Sequence, residues 1–314
     1  MDKPELLVMG VLPDWDLEPL RQRHVLHLLY EAADPEALLA EHAAKIRAIV
    51  TKGEIGASAD LMGRLPRLGL VACYGVGIDA IDRAWCAAHG VPITNTPDVL
   101  TEDVADMAFA LLLAAAREIP RADRWVRDGT WAREGSMPLT TRVWGKRLGI
   151  VGLGRIGQAV AKRAEGFGME IRYSGRTPKA HLPYRHYPTP AALAPEVDIL
   201  VCCAMGGPAT QGLIDRAAFE ALRPGSIFVN VSRGSCCDEA ALLDAIRAGR
   251  IAFAGLDVFH NEPEIDPEFA GFPDVVLAPH AASGTVETRK AMGKLMRDNV
   301  EAFFAGKPLL TEVR

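Results

Sequence analysis

Residues 146–177 read KRLGIVGLGRIGQAVAKRAEGFGMEIRYSGRT. Leu148 to Val151 is a short apolar run, the pattern of a strand buried on both faces of a parallel sheet. Gly152-Leu153-Gly154-Arg155-Ile156-Gly157 follows as a GxGxxG turn. Ile156, Val160, Ala164 and Phe167 then fall on one face of a predicted helix, and Met169 to Tyr173 supplies the next strand. In such a βαβ unit the three glycines have separate duties. Gly152 permits the tight turn, Gly154 lets a pyrophosphate approach the backbone, and Gly157 lets the helix pack on the strand. Leu153, Arg155 and Ile156 complete the loop, and the helix N-terminus offers N–H groups and partial positive charge to phosphates. A lone GxGxxG is a weak signal, but the flanking strand, helix and strand are all in place here. The stretch therefore predicts a dinucleotide site.

The end of the second strand predicts which dinucleotide. An NAD site usually carries Asp or Glu there to accept from the ribose 2′-OH. This chain has Ser174-Gly175-Arg176-Thr177 instead. The Arg176 guanidinium suits a 2′-phosphate, and Ser174 and Thr177 can donate further hydrogen bonds. Hydrogen bonds to charged groups contribute roughly 1.5–3 kcal/mol each, so two favour NADPH over NADH by two or more orders of magnitude.

Composition narrows the class. The 314 residues suggest two domains, and 49% hydrophobic content is enough for two cores. A net charge of −5 argues against nucleic acid as a partner. The start, MDKPELLVMG, lacks the features of a signal peptide, and apolar runs such as Phe109 to Ala116 are too short to span a bilayer. No membrane partner and a cytoplasmic location are expected. The cysteines, Cys73, Cys86, Cys202-Cys203 and Cys236-Cys237, have neither metal-ligand nor disulfide-framework spacing, so no metal is expected. Cys236-Cys237 follows a turn and is expected to be the more accessible pair.

The remaining chain reads as two Rossmann-like α/β domains with doubly wound parallel sheets. In residues 1–99, strands are predicted at Leu6–Leu12, Ala48–Thr51, Leu68–Tyr74 and Val91–Asn95, with a helix from Pro35 to about Arg47. Lys52-Gly53 and Val76-Gly77 sit at strand ends, where open α/β sheets bind ligands. Pro97 to Asp128 reads as one long helical stretch with Thr101 as its N-cap. Trp125, Trp131 and Trp144 follow, a composition that suits a subunit interface or a core equally well. Further strands are predicted at Asp198–Ala204, Ser226–Ser232, Phe253–Val258 and Val275–Ala278, with a helix at Asp238–Ala248. The last helix, Val286–Ala305, is expected to return to the first domain, which makes that domain discontinuous: 1–99 plus 286–314, flavodoxin-like, around a dinucleotide-binding domain at 100–285.

Three polar residues stand just beyond strands of the second half: Arg233, Glu262 and His280. The segments YGVGIDAID, TNTPDVLTEDVADMAFALLLA, GIVGLGRIG, NVSRGS, AGLDVFHNEP and PHAASGTVETRKAM together resemble the D-2-hydroxyacid dehydrogenase family along the whole chain. Within it the chain is most similar to NADPH-dependent glyoxylate/hydroxypyruvate reductases and hydroxyphenylpyruvate reductases.

The resemblance implies a role for each position. Arg233 would bind the substrate carboxylate and polarise the C2 carbonyl, His280 would be the general acid, and Glu262 would hold the imidazole and favour its protonated form. Gly53, Val76 and Gly77 would give backbone donors to the substrate, with Lys52 beside them. Met205, Val231, Ser232, Asp257, His280, Ala282 and Ser283 would line the cofactor site with the glycine loop, Asp257 near the nicotinamide carboxamide or behind the catalytic pair. His260, two residues before Glu262, is not needed by the pattern and is expected to be solvated. Lys52 stands where a small or neutral residue is more usual, and adds positive charge favouring polar or doubly anionic 2-oxoacids. The implied protein is a homodimeric reductase converting glyoxylate and hydroxypyruvate to D-2-hydroxyacids. An aryl-pyruvate reductase and a non-enzymatic cofactor-sensing scaffold are the alternatives.

Overall fold

The computed structural model describes residues 3–313. Its chain forms two compact units, Met1–Leu100 with Gly284–Arg314, and Thr101–Ser283.

The first unit holds five strands: β1 (Glu5–Val8), β2 (Val25–Leu28), β3 (Ile46–Lys52), β4 (Leu70–Tyr74) and β5 (Ile93–Thr94). All pair in parallel, in the order β2-β1-β3-β4-β5. This is the flavodoxin-like order. Leu7, Ile49, Val71 and Ile93 are buried in its core. Helix Val286–Phe304, capped by the Thr285 hydroxyl, packs on β4, and the Tyr74 hydroxyl donates to the Arg289 carbonyl at 2.8 Å.

Several boundaries differ from the sequence expectation. The first strand stops at Val8, well short of Leu12. The helix from Pro35, capped by Asp34, ends at His42, and Ile46 opens β3 instead of lying on the helix. Helix Asp14–Arg23 and strand β2 were not predicted: Pro19 interrupts the helical pattern, and β2 is an edge strand of four residues.

The second unit holds seven parallel strands: β6 (Arg147–Val151), β7 (Glu170–Ser174), β8 (Arg185–Tyr187), β9 (Ile199–Cys202), β10 (Ser226–Asn230), β11 (Ile251–Leu256) and β12 (Val275–Leu277). Their order is β12-β11-β10-β9-β6-β7-β8. The strand order reverses between β6 and β9, which makes the gap beyond their C-terminal ends the topological switch point. Helix Thr101–Ala116 covers one face: a Cβ on Gly255 of β11 would lie 2.8 Å from the Leu111 Cβ. Phe219 and Phe228 meet edge-to-face in the core.

The stretch expected as one helix over 97–128 is two, Thr101–Ala116 and Ile119–Arg127. Pro120 has no N–H for the Ala116 carbonyl, and Glu118 adopts φ 48° at the break. Thr101 is the first helical residue, not the cap. Trp131 and Trp144 are exposed rather than in the core. Cys236 and Cys237, expected to be accessible, are buried with Cys202 beneath the β10 turn. The Cys236 thiol is pushed up by its hydrogen bond with Cys202 and by burial, so it does not form a ready thiolate. Among the described residues no helix is long and apolar enough to cross a membrane.

Candidate active site

The expected ligand residues of the second unit all stand at the C-terminal edge of one sheet. Gly152–Gly157 follow β6, Ser174 ends β7 and Gly175–Thr177 follow it, Met205 follows β9, and Val231–Arg233 follow β10. Asp257 and Glu262 follow β11, and His280, Ala282 and Ser283 follow β12.

The three glycines of the β6 turn meet different surroundings. Gly152 has φ 89°, and a Cβ there would lie 2.6 Å from the Ala204 Cα. A Cβ on Gly157 would lie 2.3 Å from the Gly152 carbonyl oxygen. Gly154 has ordinary extended backbone and nothing within 4 Å of a Cβ position, so no protein atom demands glycine there. It opens helix Arg155–Gly166 without a side-chain cap. Open space at a helix N-terminus fits a phosphate group. Ser174 adds a second open feature at this edge, a buried hydroxyl without a hydrogen-bond partner. Arg176 and Thr177 are exposed, and no described side chain pairs with Arg176. These residues fit the phosphates of a dinucleotide.

Arg233 follows the β10 strand end. Asn230 holds its turn: the Asn230 Oδ1 accepts from the Ser232 N–H at 3.0 Å, and its Nδ2 donates to the Arg233 carbonyl at 3.2 Å. The Ser232 hydroxyl donates to the Ala204 carbonyl. Gly234 locks this turn to the neighbouring loop, since a Cβ there would lie 2.0 Å from the Phe259 carbonyl carbon. The Phe259 N–H donates to Glu262 Oε1 at 2.7 Å. Thus the turn bearing Arg233 and the loop bearing Glu262 pack directly against each other. Asn230 and Gly234 escaped the sequence reading, although both lie within NVSRGS, where an amide at a strand end marks a candidate turn anchor.

His280 Nδ1 and Glu262 Oε2 are 2.6 Å apart. Burial alone would raise the Glu262 carboxyl; the hydrogen bond to His280, the Phe259 amide and nearby Arg233 bring it below the usual range. A carboxylate that stays ionised takes an N–H from Nδ1 and leaves Nε2 for other work. His280 has φ 51°, a conformation uncommon outside glycine. Asp257 holds it there. Its carbonyl accepts from the His280 N–H at 2.8 Å, and its carboxylate oxygens accept from Ala281 and Ala282 at 2.7 and 2.9 Å. Asp257 is fully buried and anchors the loop from behind, the second of the two places expected for it. His260 is exposed, with its Nε2 2.9 Å from the Cys237 carbonyl.

Lys52, Gly53, Val76 and Gly77 belong to the other unit. A Cβ on Gly53 would lie 2.5 Å from the Gly77 carbonyl oxygen, so the turns after β3 and β4 touch. Asn95 Nδ2 donates to the Val76 carbonyl at 2.9 Å and fixes the second turn. Lys52 is half-buried, and no described carboxylate pairs with its ammonium.

Similarity to known proteins assigns the family. Residues 109–282 match the family model for the D-isomer specific 2-hydroxyacid dehydrogenase NAD binding domain. The chain is 44% identical over 313 residues to a glyoxylate/hydroxypyruvate reductase of Arabidopsis thaliana, covering 100% of both. It is also 44% identical over 313 residues to a hydroxyphenylpyruvate reductase of Plectranthus scutellarioides, again covering 100% of both. Among solved structures, an NADPH-dependent glyoxylate/hydroxypyruvate reductase of Sinorhizobium meliloti, in complex with NADP and malonate, superposes with TM-score 0.94 at 42% identity, covering 99% of this chain and 97% of that one. The chain belongs to the D-isomer specific 2-hydroxyacid dehydrogenase family.

Proposed function

We propose that the protein is an NADPH-dependent reductase of small 2-oxoacids, glyoxylate and hydroxypyruvate foremost, producing D-2-hydroxyacids. The observation that carries this reading is the His280–Glu262 pair at 2.6 Å, on loops that adjoin the Arg233 turn. Gly152–Gly157, Ser174–Thr177, Met205, Val231, Ser232, Ala282 and Ser283 hold the dinucleotide. When bound, it supplies the hydride that the reduction consumes. Arg233 binds the substrate carboxylate in bidentate fashion and draws electron density from the C2 carbonyl. His280 donates the Nε2 proton to the carbonyl oxygen as the carbon is reduced, and Glu262 stabilises the charged ring before that transfer. The backbone amides around Gly53, Val76 and Gly77 bind the same carboxylate, and Lys52 tunes substrate choice.

The test is oxidation of NADPH and of NADH, side by side, with glyoxylate, hydroxypyruvate and phenylpyruvate. Fast turnover of NADPH with the two small oxoacids supports the proposal. Equal rates with NADH remove Arg176 from the cofactor reading. Faster turnover of phenylpyruvate would favour the aryl-pyruvate reading, which the likeness to a hydroxyphenylpyruvate reductase also supports. No turnover of any oxoacid would favour a cofactor-sensing scaffold. We further propose a cytoplasmic homodimer. Exposed Ile119, Val126, Trp131, Leu139 and Trp144 support association through segment 119–144, and six free cysteines support a reducing compartment. Light scattering of the native protein tests the dimer.

A further inference from the structure

The segment carrying Arg176 has little of its own to hold it. Gly175 has no side chain, and nothing lies within 4 Å of where a Cβ would be. Arg176, Thr177 and Pro178 are exposed. Yet the segment is fixed at both ends by two aromatic side chains on adjacent strands. His186 of the edge strand β8 places Nε2 2.8 Å from the Gly175 carbonyl. A carbonyl only accepts, so the ring presents an N–H at Nε2. Tyr173 of β7 is buried, and its hydroxyl accepts the Lys179 N–H at 2.6 Å. Tyr173 and His186 are register partners, with ring centroids 5.1 Å apart. Gly175 and Lys179 are thus tied to one two-ring platform, with Arg176 between them.

We propose that His186, with Tyr173, is a positioning residue for cofactor choice: it pre-sets the Gly175–Lys179 segment so that Arg176 meets the 2′-phosphate of NADPH. This rests on the proposed reading of Arg176. Neither ring touches the phosphate in this account; they act by fixing the chain before binding, which lowers the ordering cost on association. The effect is confined to a ligand that uses Arg176. Loss of one such hydrogen bond weakens binding by about three- to tenfold.

The test is calorimetric binding of NADP+, NAD+ and 2′,5′-ADP to the full-length protein and to variants His186→Ala, His186→Gln, Tyr173→Phe and Arg176→Ala. His186→Ala is expected to weaken NADP+ and 2′,5′-ADP about three- to tenfold and leave NAD+ unchanged. His186→Gln, which keeps an N–H donor, restores binding. Tyr173→Phe, which keeps the ring and loses the acceptor, reproduces the selective loss independently and serves if His186→Ala does not fold. Equal weakening of NADP+ and NAD+ overturns the proposal, as does wild-type binding by both His186→Ala and Tyr173→Phe while Arg176→Ala is weakened. If Arg176→Ala itself binds NADP+ like wild type, the reading of Arg176 falls and the proposal falls with it.

Discussion

The two edges of the seven-stranded sheet are made from the same strands, yet they treat polar groups in opposite ways. At the N-terminal edge charges are matched. Arg147 at the start of β6 pairs with Asp198 just before β9, and the Arg147 backbone N–H donates to the same carboxylate at 3.0 Å. Arg172 is shared between Glu170 and Glu196. Arg223 and Arg250 donate to the Pro195 and Leu222 carbonyls. At the C-terminal edge Gly154 borders open space, Ser174 has an unpartnered hydroxyl, Arg176 has no described partner, and Met205 is 67% exposed. One edge closes the sheet on itself, and the other leaves these four positions open. The contrast implies that substitutions separate: those of the matched charges should change stability without activity, and those of the open groups activity without stability.

The largest expected effect is at His280. His280→Asn keeps a residue that tolerates positive φ and removes the proposed proton donor. Turnover should fall by about 10²- to 10⁴-fold with the melting temperature unmoved, as steady-state kinetics and calorimetry would report. A matching loss of stability would break the contrast.

The glycine turn offers a sharper division within six residues. Gly154→Ala meets no protein atom, so stability should hold while the KM for NADPH rises about tenfold. Gly157→Ala forces a Cβ against the Gly152 carbonyl and should cost about 1–3 kcal/mol of stability in denaturant titrations.

At the opposite edge, Asp198→Asn should lose about 1–2 kcal/mol of stability with kcat/KM unchanged. The hydrogen bond from Arg147 holds the Asp198 carboxyl down to about 2. A carboxylate depressed in the fold stabilises the protein above its unfolded pKa. In the wild type this contribution should therefore be complete above pH of about 4 and fade as pH falls through about 2. Denaturation midpoints compared between wild type and variant across that range should converge at the acid end.

The smallest expected effect is at Lys52. Lys52→Ala should lower the preference for a dicarboxylic 2-oxoacid over glyoxylate about two- to fivefold, read as a ratio of kcat/KM values. An unchanged ratio would remove Lys52 from substrate choice.

The sequence made the C-terminal edge more legible than the fold that supports it. Buried parallel strands such as β6 and β10 announce themselves as apolar runs, and glycines mark the turns after them. Short edge strands carry no such run: Arg185–Tyr187 reads as polar loop, and so β8 and its role under Arg176 were invisible. Helix ends were equally obscure. Periodicity continued past His42 and through Arg117–Glu118, where the real breaks depend on a local backbone turn and on Pro120. The burial of Cys236-Cys237 was lost for another reason, because a pair after a turn looks exposed until a neighbouring strand is known to cover it. Long-range anchors were hardest. Nothing in the spacing of NVSRGS and AGLDVFHNEP says that Gly234 must touch Phe259.

That contact has a consequence for anyone redesigning the protein. With Gly234 pressed on the Phe259 carbonyl, the Arg233 turn and the Glu262 loop behave as a single casting. A bulkier neighbour introduced beside Arg233 to fit a new ligand would transmit its displacement to the Glu262–His280 pair. The Lys52 and Val76 turns belong to a different sheet, so on the proposed reading they can drift through sequence space while the His280–Glu262 pair keeps its alignment.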